Sequence, residues 1–261
     1  MKNFSHGNSK LKQKLLNNKL SIGSWVTIPQ QAIIEILSTA GFEWLTIDLE
    51  HSAIDFETAQ NLIGHIQANG MEALVRVSKN DEVIIKRVLD AGANGIIVPL
   101  VKNAEEAKQA VSFAKYPPKG IRGVGLSRAQ HYGLNFESYK EWVNTNLVVI
   151  IQVEHIDAVN NIAEILDVEG VDGIIVGPYD LSASMGKPGR FEDKDVINAL
   201  KKLDKITLSK KKPLGFHVIS SNHEKMIEKI NQKYSFLAFS LDFFFLGDKV
   251  RSEMNSLRNK L

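Results

Sequence analysis

The 261-residue chain contains no cysteine. Disulfides, thiolate metal ligands and a thiol nucleophile are therefore excluded, and any metal must bind oxygen or imidazole. An excess of charge of one sign is also missing: 32 Lys and Arg against 30 Asp and Glu leave a formal net charge of +2. That balance offers no electrostatic footprint for nucleic acid or for an anionic membrane surface. No apolar run approaches the roughly 20 residues that a membrane-spanning helix needs. The nearest, 236–246, is short and carries Asp242, so it reads as a last strand with an aromatic contact surface. Residues 1–20 are polar and mildly basic and lack the apolar centre of a signal peptide. The expectation is a cytoplasmic protein with neither a nucleic-acid nor a membrane partner.

What is present is an alternation. Hydrophobic residues make up 44 %, ordinary for a chain that buries a substantial core. Strands are predicted at 22–27, 44–49, 73–77, 95–99, 147–154, 173–177, 214–218 and 236–241. Runs such as Leu147-Val-Val-Ile-Ile151 are apolar throughout, as in parallel strands covered on both faces. Between them, 31–40, 57–68, 81–91 and 104–115 place apolar residues at three- and four-residue spacing, the period of helices. Eight such units predict an α/β fold, a single closed (β/α)₈ TIM barrel. The rival, an open doubly wound sheet, announces itself with a glycine-rich turn after its first strand, and Thr27-Ile-Pro-Gln30 is not one. One connection, 115–146, is long enough to suggest a functional loop. The chain reads as one domain, with an N-terminal extension over 1–20 and a C-terminal helix over 242–261 that packs on a neighbouring subunit.

Barrel active sites form at the C-terminal ends of the strands. There stand Asp48-Leu-Glu-His51, Arg76, Gln152-Val-Glu154 and Gly177-Pro-Tyr-Asp180. Two carboxylates, Glu154 and Asp180, repel each other in a closed pocket unless a cation lies between them. Oxygen ligands without cysteine suit Mg²⁺ or Mn²⁺, and two protein ligands leave most of the shell open for substrate. The plainer reading makes Glu154 and Asp180 helix caps. Arg76, at a buried strand end, needs an anion, either a protein carboxylate or a bound one. His51 reads either as a hydrogen-bonded loop residue or as a general base, with Asp48 and Glu50 near enough in sequence to orient it. His217, at the end of strand seven, is a weaker candidate for the pocket. The other histidines, His6, His65, His131, His155 and His223, show no ligand spacing.

Six phrases occur together and in order: Asp48-Leu-Glu-His51, Val75-Arg-Val77, Gly95-Ile-Ile-Val-Pro99, Tyr116-Pro-Pro-Lys-Gly-Ile-Arg-Gly123, Gln152-Val-Glu154 and Gly177-Pro-Tyr-Asp-Leu-Ser182. In this the chain resembles the HpcH/HpaI aldolases, metal-dependent (class II) pyruvate aldolases. The resemblance implies a phosphoenolpyruvate/pyruvate-type barrel and an aldehyde-lyase. Such an enzyme cleaves or forms a 4-hydroxy-2-oxo acid, giving pyruvate and an aldehyde through a metal-stabilised enolate. It further implies that Glu154 and Asp180 hold Mg²⁺ or Mn²⁺, with Co²⁺ a possible substitute. His51 would be the proton acceptor and Arg76 would stabilise the transition state. Gln152, Tyr179 and Asp180 would contact substrate. Asp90 would raise the basicity of the histidine, and because it precedes strand four it would do so only across a subunit interface. A homo-oligomer, a hexamer, is implied as well. The chain departs from the family pattern at Ser240-Leu-Asp242, where Gly-x-Asp is usual, and at His155, where threonine is usual. Three rivals stand beside this reading: a lysine Schiff-base aldolase using Lys79 or Lys102, a metal-dependent lyase acting on a CoA thioester, and a non-catalytic barrel that binds a 2-oxo acid.

Overall fold

A computed structural model describes residues 7–261. The first six residues of the N-terminal extension, His6 among them, lie outside the described residues. Among the described residues there are eight strands: β1 (Ser21–Val26), β2 (Trp44–Asp48), β3 (Glu72–Arg76), β4 (Gly95–Val98), β5 (Val148–Val153), β6 (Gly173–Val176), β7 (Leu214–Val218) and β8 (Phe236–Leu241). They pair in parallel, each with its sequence neighbours, and β8 closes on β1. This is the closed barrel expected, and each strand lies within one residue of its predicted limits.

The described helices are α1 (Lys10–Leu16), α2 (Gln31–Ser38), α3 (Phe56–Ala68), α4 (Glu82–Asp90), α5 (Ala104–Ala114), α6 (Phe136–Asn146), α7 (Ile156–Asn160), α8 (Ile162–Asp167), α9 (Pro178–Ser184), α10 (Lys194–Ser209), α11 (His223–Asn231) and α12 (Asp242–Arg258). Many start for a local reason. Asp55, Asp81, Asn103, Asp193 and Asn222 accept backbone N–H groups in the first turns of α3, α4, α5, α10 and α11. Those donors have no partner within the helix itself.

Two apolar layers result. Val75, Ile96, Val149 and Ile151 face outward and pack under the helices. Trp25, Trp44, Leu74, Ile150 and Phe236 fill the barrel interior. Trp44 stacks on Phe236 with ring centroids 4.4 Å apart. Gly23 makes room for this pair, since a Cβ there would lie 2.1 Å from the Trp44 ring.

The extension is more than a tail. α1 inserts Leu11 and Leu15 into the interior cluster. Lys12 Nζ pairs with Asp172 Oδ1 at 2.5 Å and donates to the Leu147 carbonyl at 2.9 Å. Both partners stand just before strands β5 and β6, so α1 closes the N-terminal end of the barrel. The 115–146 connection also differs from expectation. Its last third is α6, which buries Tyr139, Trp142 and Val143. It joins α5 to the start of β5 and so lies at the end of the barrel away from the strand C-termini.

Candidate active site

The strand C-termini surround a cavity of about 440 Å³. Asp48, His51, Arg76, Gln152, Tyr179 and Asp180 all line it. Register explains the first contact: Asp48 and Arg76 are paired positions on β2 and β3. Arg76 Nε and Nη2 donate to the two Asp48 oxygens at 2.9 and 2.6 Å. Burial raises the Asp48 pKa, but the Arg76 hydrogen bonds and charge, with the N–H groups of Glu50 and His51, outweigh it and hold the carboxyl below its usual range. Arg76 therefore has its protein carboxylate and also faces the cavity, so its two sequence readings are compatible.

Glu50 lies on the other side of Arg76, with Oε2 3.2 Å from Nη1. The geometry is not that of a hydrogen bond, and Oε2 is buried without a hydrogen-bond partner. Desolvation raises the Glu50 pKa to about 7, Arg76 opposes the rise, and the charges of Glu154, Asp48 and Asp180 add to it. His51 extends into solvent from the loop after β2, its Nε2 3.8 Å from Glu50 Oε2. Asp48 meets the His51 backbone N–H at 3.2 Å rather than orienting its ring.

Glu154 follows β5 and is buried. One oxygen accepts the Leu100 N–H at 2.7 Å, and the other accepts Gln152 Nε2 at 2.5 Å. Leu100 reaches it from the left-handed region, φ 57°, a conformation costly for a branched residue and often found at functional sites. Desolvation raises the Glu154 pKa; the Gln152 and Leu100 bonds oppose this and the Asp180 charge adds to it. Neither carboxylate caps a helix. His155 caps α7, and Asp180 is the third residue of α9, behind an N-cap at Gly177.

The donor set fits a divalent cation. Asp48, Glu50, Glu154 and Asp180 converge against one guanidinium, and the buried Glu50 oxygen lacks a partner. Gly177 leaves a cradle beside Glu154, because a Cβ there would lie 3.1 Å from Oε2. Among the described residues no group of three or more His, Cys, Asp or Glu side chains is placed to hold a metal ion, so the fit rests on a pair of carboxylates, Glu154 and Asp180. Two protein ligands with open positions are the arrangement of a catalytic site.

Asp90 is elsewhere. It ends α4, at the opposite end of the barrel, and accepts Arg122 Nη2 at 2.6 Å. Lys79 and Lys102 do not line the cavity, and neither does any other described lysine. His217, given little weight from sequence, does line it. Its ring stacks on Trp25 at 4.6 Å and its Nε2 lies 2.9 Å from the Ser240 carbonyl. Burial lowers its pKa to about 4 against that hydrogen bond, so the imidazole is neutral near pH 7. Sequence reasoning passed over Phe243 and Phe244 as a contact surface, yet both line the cavity. Asp242 brings them there. It is buried and accepts the N–H groups of Thr27 and Ile28, each at 2.7 Å.

Known proteins share this sequence pattern and this fold. The family described as HpcH/HpaI aldolase/citrate lyase matches residues 21–246. The 2-dehydro-3,6-dideoxy-6-sulfogluconate aldolase of Pseudomonas putida is 34 % identical over 92 % of this chain and 93 % of its own. The 4-hydroxy-2-oxo-heptane-1,7-dioate aldolase of Salmonella dublin is 40 % identical over 72 % of each. A solved HpcH/HpaI aldolase/citrate lyase family protein from Burkholderia cenocepacia J2315 superposes with a TM-score of 0.90 at 28 % identity, covering 96 % of this chain and all of the other. The chain belongs to the HpcH/HpaI aldolase/citrate lyase family and is a carbon–carbon lyase.

Proposed function

We propose that the chain is a metal-dependent aldolase that cleaves or forms a 4-hydroxy-2-oxo acid, with pyruvate and an aldehyde as the other partners. The observation that supports this reading is that Asp180, Arg76 and His51 line one cavity at the catalytic end of the barrel, with the buried Glu154 near enough to feel the Asp180 and Arg76 charges. Glu154 and Asp180 hold Mg²⁺ or Mn²⁺, which when bound supplies Lewis-acid polarisation of the 2-oxo group. Gln152 Nε2, already on Glu154, keeps that carboxylate oriented.

In cleavage His51, exposed at the cavity mouth, takes the proton of the C4 hydroxyl. The C4–O⁻ electrons form the aldehyde carbonyl, and the C3–C4 pair moves to give an enolate of pyruvate. Arg76 presents a fixed positive charge where that enolate oxygen develops, held in place by Asp48 and Glu50. Protonation at C3 gives pyruvate. The backbone at Tyr179 and Asp180 opens α9, and its N-terminal N–H groups suit the substrate carboxylate. Asp90 acts on the His51 of a neighbouring copy in a homo-oligomer, since its own His51 is at the far end of the barrel.

The test is pyruvate release from a panel of 4-hydroxy-2-oxo acids by EDTA-stripped protein, with and without Mg²⁺ or Mn²⁺. Release that depends on metal is expected. Release that ignores EDTA would overturn the metal-dependent reading, and no release from any substrate would remove the aldolase reading.

A further inference from the structure

Among the described residues two histidines line the cavity, His51 and His217, and the aldolase reading gives a task only to the first. Leu214 and Phe216 of β7 pack under the helices, so the alternation of the strand turns His217 into the barrel. Its ring lies on Trp25, with centroids 4.6 Å apart and planes within 15°. Nε2 is 2.9 Å from the Ser240 carbonyl oxygen. A carbonyl only accepts, so Nε2 carries the ring proton. Burial keeps the imidazole neutral near pH 7. Nδ1 is then a bare lone pair. Among the described residues no group donates to it, and it is not sealed inside the protein as Glu50 Oε2 is.

Ser240 shows that this arrangement is built. Its φ is 51°, in the left-handed region, which a serine adopts at a cost. The turn aims its carbonyl at His217, and its hydroxyl donates to the Ile219 carbonyl at 2.9 Å. Backbone strain on β8 thus fixes one tautomer of a ring on β7. The acceptor also has a place in the reaction. Arg76 borders the same indole, its Cζ 5.4 Å from the Trp25 ring centre. Because Arg76 serves the enolate oxygen, His217 stands one indole away from the reacting carbons. The charges acting on His217 are those of Arg76 and Asp48, whereas Glu154 feels Asp180 and Arg76. His217 therefore lies away from the carboxylate pair that takes the 2-oxo-acid end, on the side toward which the aldehyde portion extends. A neutral lone pair there repels a carboxylate and gains from a donor, and on an uncharged aldehyde that donor is a hydroxyl. A neighbouring copy that brings Asp90 to His51 approaches the mouth, while His217 belongs to the barrel wall and keeps its lone pair in the assembly.

We propose that His217 sets specificity: Nδ1 accepts a hydrogen bond from a hydroxyl on the carbon next to the aldehyde carbonyl. The site then takes 2-hydroxyaldehydes and, in cleavage, 4,5-dihydroxy-2-oxo acids. The proposal rests on the aldolase reading of the site.

Two assays on the Mn²⁺-loaded protein separate the proposal from its foundation. Deuterium entry into the pyruvate methyl group in D₂O needs no aldehyde and reads enolate formation alone. Aldol addition of pyruvate to lactaldehyde, against propionaldehyde, reads a single uncharged hydroxyl. Exchange together with kcat/KM at least about ten-fold higher for lactaldehyde is expected. His217→Leu removes the lone pair at similar bulk and should lower the lactaldehyde-to-propionaldehyde ratio by about ten-fold or more. Comparing ratios cancels any general loss and the unequal reactivity of the free aldehydes. His217→Gln keeps a donor for Ser240 and an acceptor, and should hold the ratio within about three-fold of the parent. Exchange without a preference for lactaldehyde overturns the proposal and leaves the aldolase reading standing. An equal ratio in the parent and His217→Leu does the same and makes His217 a packing residue. Loss of the ratio in His217→Gln would also overturn it, whether or not His217→Leu folds. No exchange in the parent overturns both.

Discussion

Arg76 holds the two ends of a bidentate pair on Asp48 and still borders the cavity. Lysine at this position keeps the charge but loses the planar fork, so Asp48 stays neutralised while the direction of the positive group is lost. Arg76→Lys should lower kcat about 100-fold, the order of one lost oxyanion donor, and alter Mn²⁺ affinity far less. Steady-state kinetics beside a calorimetric Mn²⁺ titration decides this; unchanged turnover would remove Arg76 from the chemistry. Glu50 supports a second prediction. Its folded pKa of about 7 lies above the usual 4.5, chiefly through desolvation. Between these values the folded state binds the extra proton, so the contribution to stability is full below pH 4.5 and is lost as pH rises through 7. Glu50→Gln removes that titration. In metal-free protein the variant should therefore gain in Tm relative to the parent from pH 5 to pH 8. Equal pH profiles for the two proteins would place the charge strain elsewhere.

α1 shows what an element of seven residues can do when it closes a barrel. Leu15 is 2 % exposed within the interior cluster, whereas Leu16 beside it is 71 % exposed. Leu15→Ala should cost about 2–5 kcal/mol in chemical denaturation, and Leu16→Ala about 0.5 kcal/mol or less. Equal costs would mean that α1 does not plug the barrel. The sequence signal for α1 was only Leu11 and Leu15 at a four-residue spacing within polar surroundings, too little to separate a plug from a tail. The β-strands were legible because apolar runs buried on both faces have few alternatives. α6 was missed because Tyr139, Trp142 and Val143 repeat a helical spacing over a single turn, behind a stretch rich in proline and glycine. At the site, the positions of Glu154, Asp180, Arg76 and His51 at the strand C-termini were legible because barrel geometry says where a strand end points. The aromatic wall was not. It depends on Asp242 drawing the start of α12 against the β1 loop, a contact 215 residues apart in the chain.

On the scale of the whole molecule, two features bear on the proposed homo-oligomer. α12 buries only Asp242 and leaves Leu246, Val250, Met254 and Leu257 more than two-fifths exposed, at spacings of four, four and three. A stripe of that period suits a helix that packs on another element, as the proposed homo-oligomer would provide. Asp90, gripped by the buried Arg122, stands at the end of its barrel away from its own His51. If Asp90 serves the His51 of a neighbour, the two residues of one site come from different chains, and defects in them can complement. His51→Asn and Asp90→Asn variants should each lose most activity alone. Mixed in equal amounts under subunit exchange, they place an intact His51 beside an intact Asp90 in about a quarter of sites, the chance that both chains at a shared interface contribute the unmutated residue. Recovery toward about a quarter of parental activity, absent when the variants are kept apart, is therefore the expected result. No recovery in mixtures shown by mass to contain both chains would confine Asp90 to its ion pair with Arg122 and make each barrel catalytically self-sufficient.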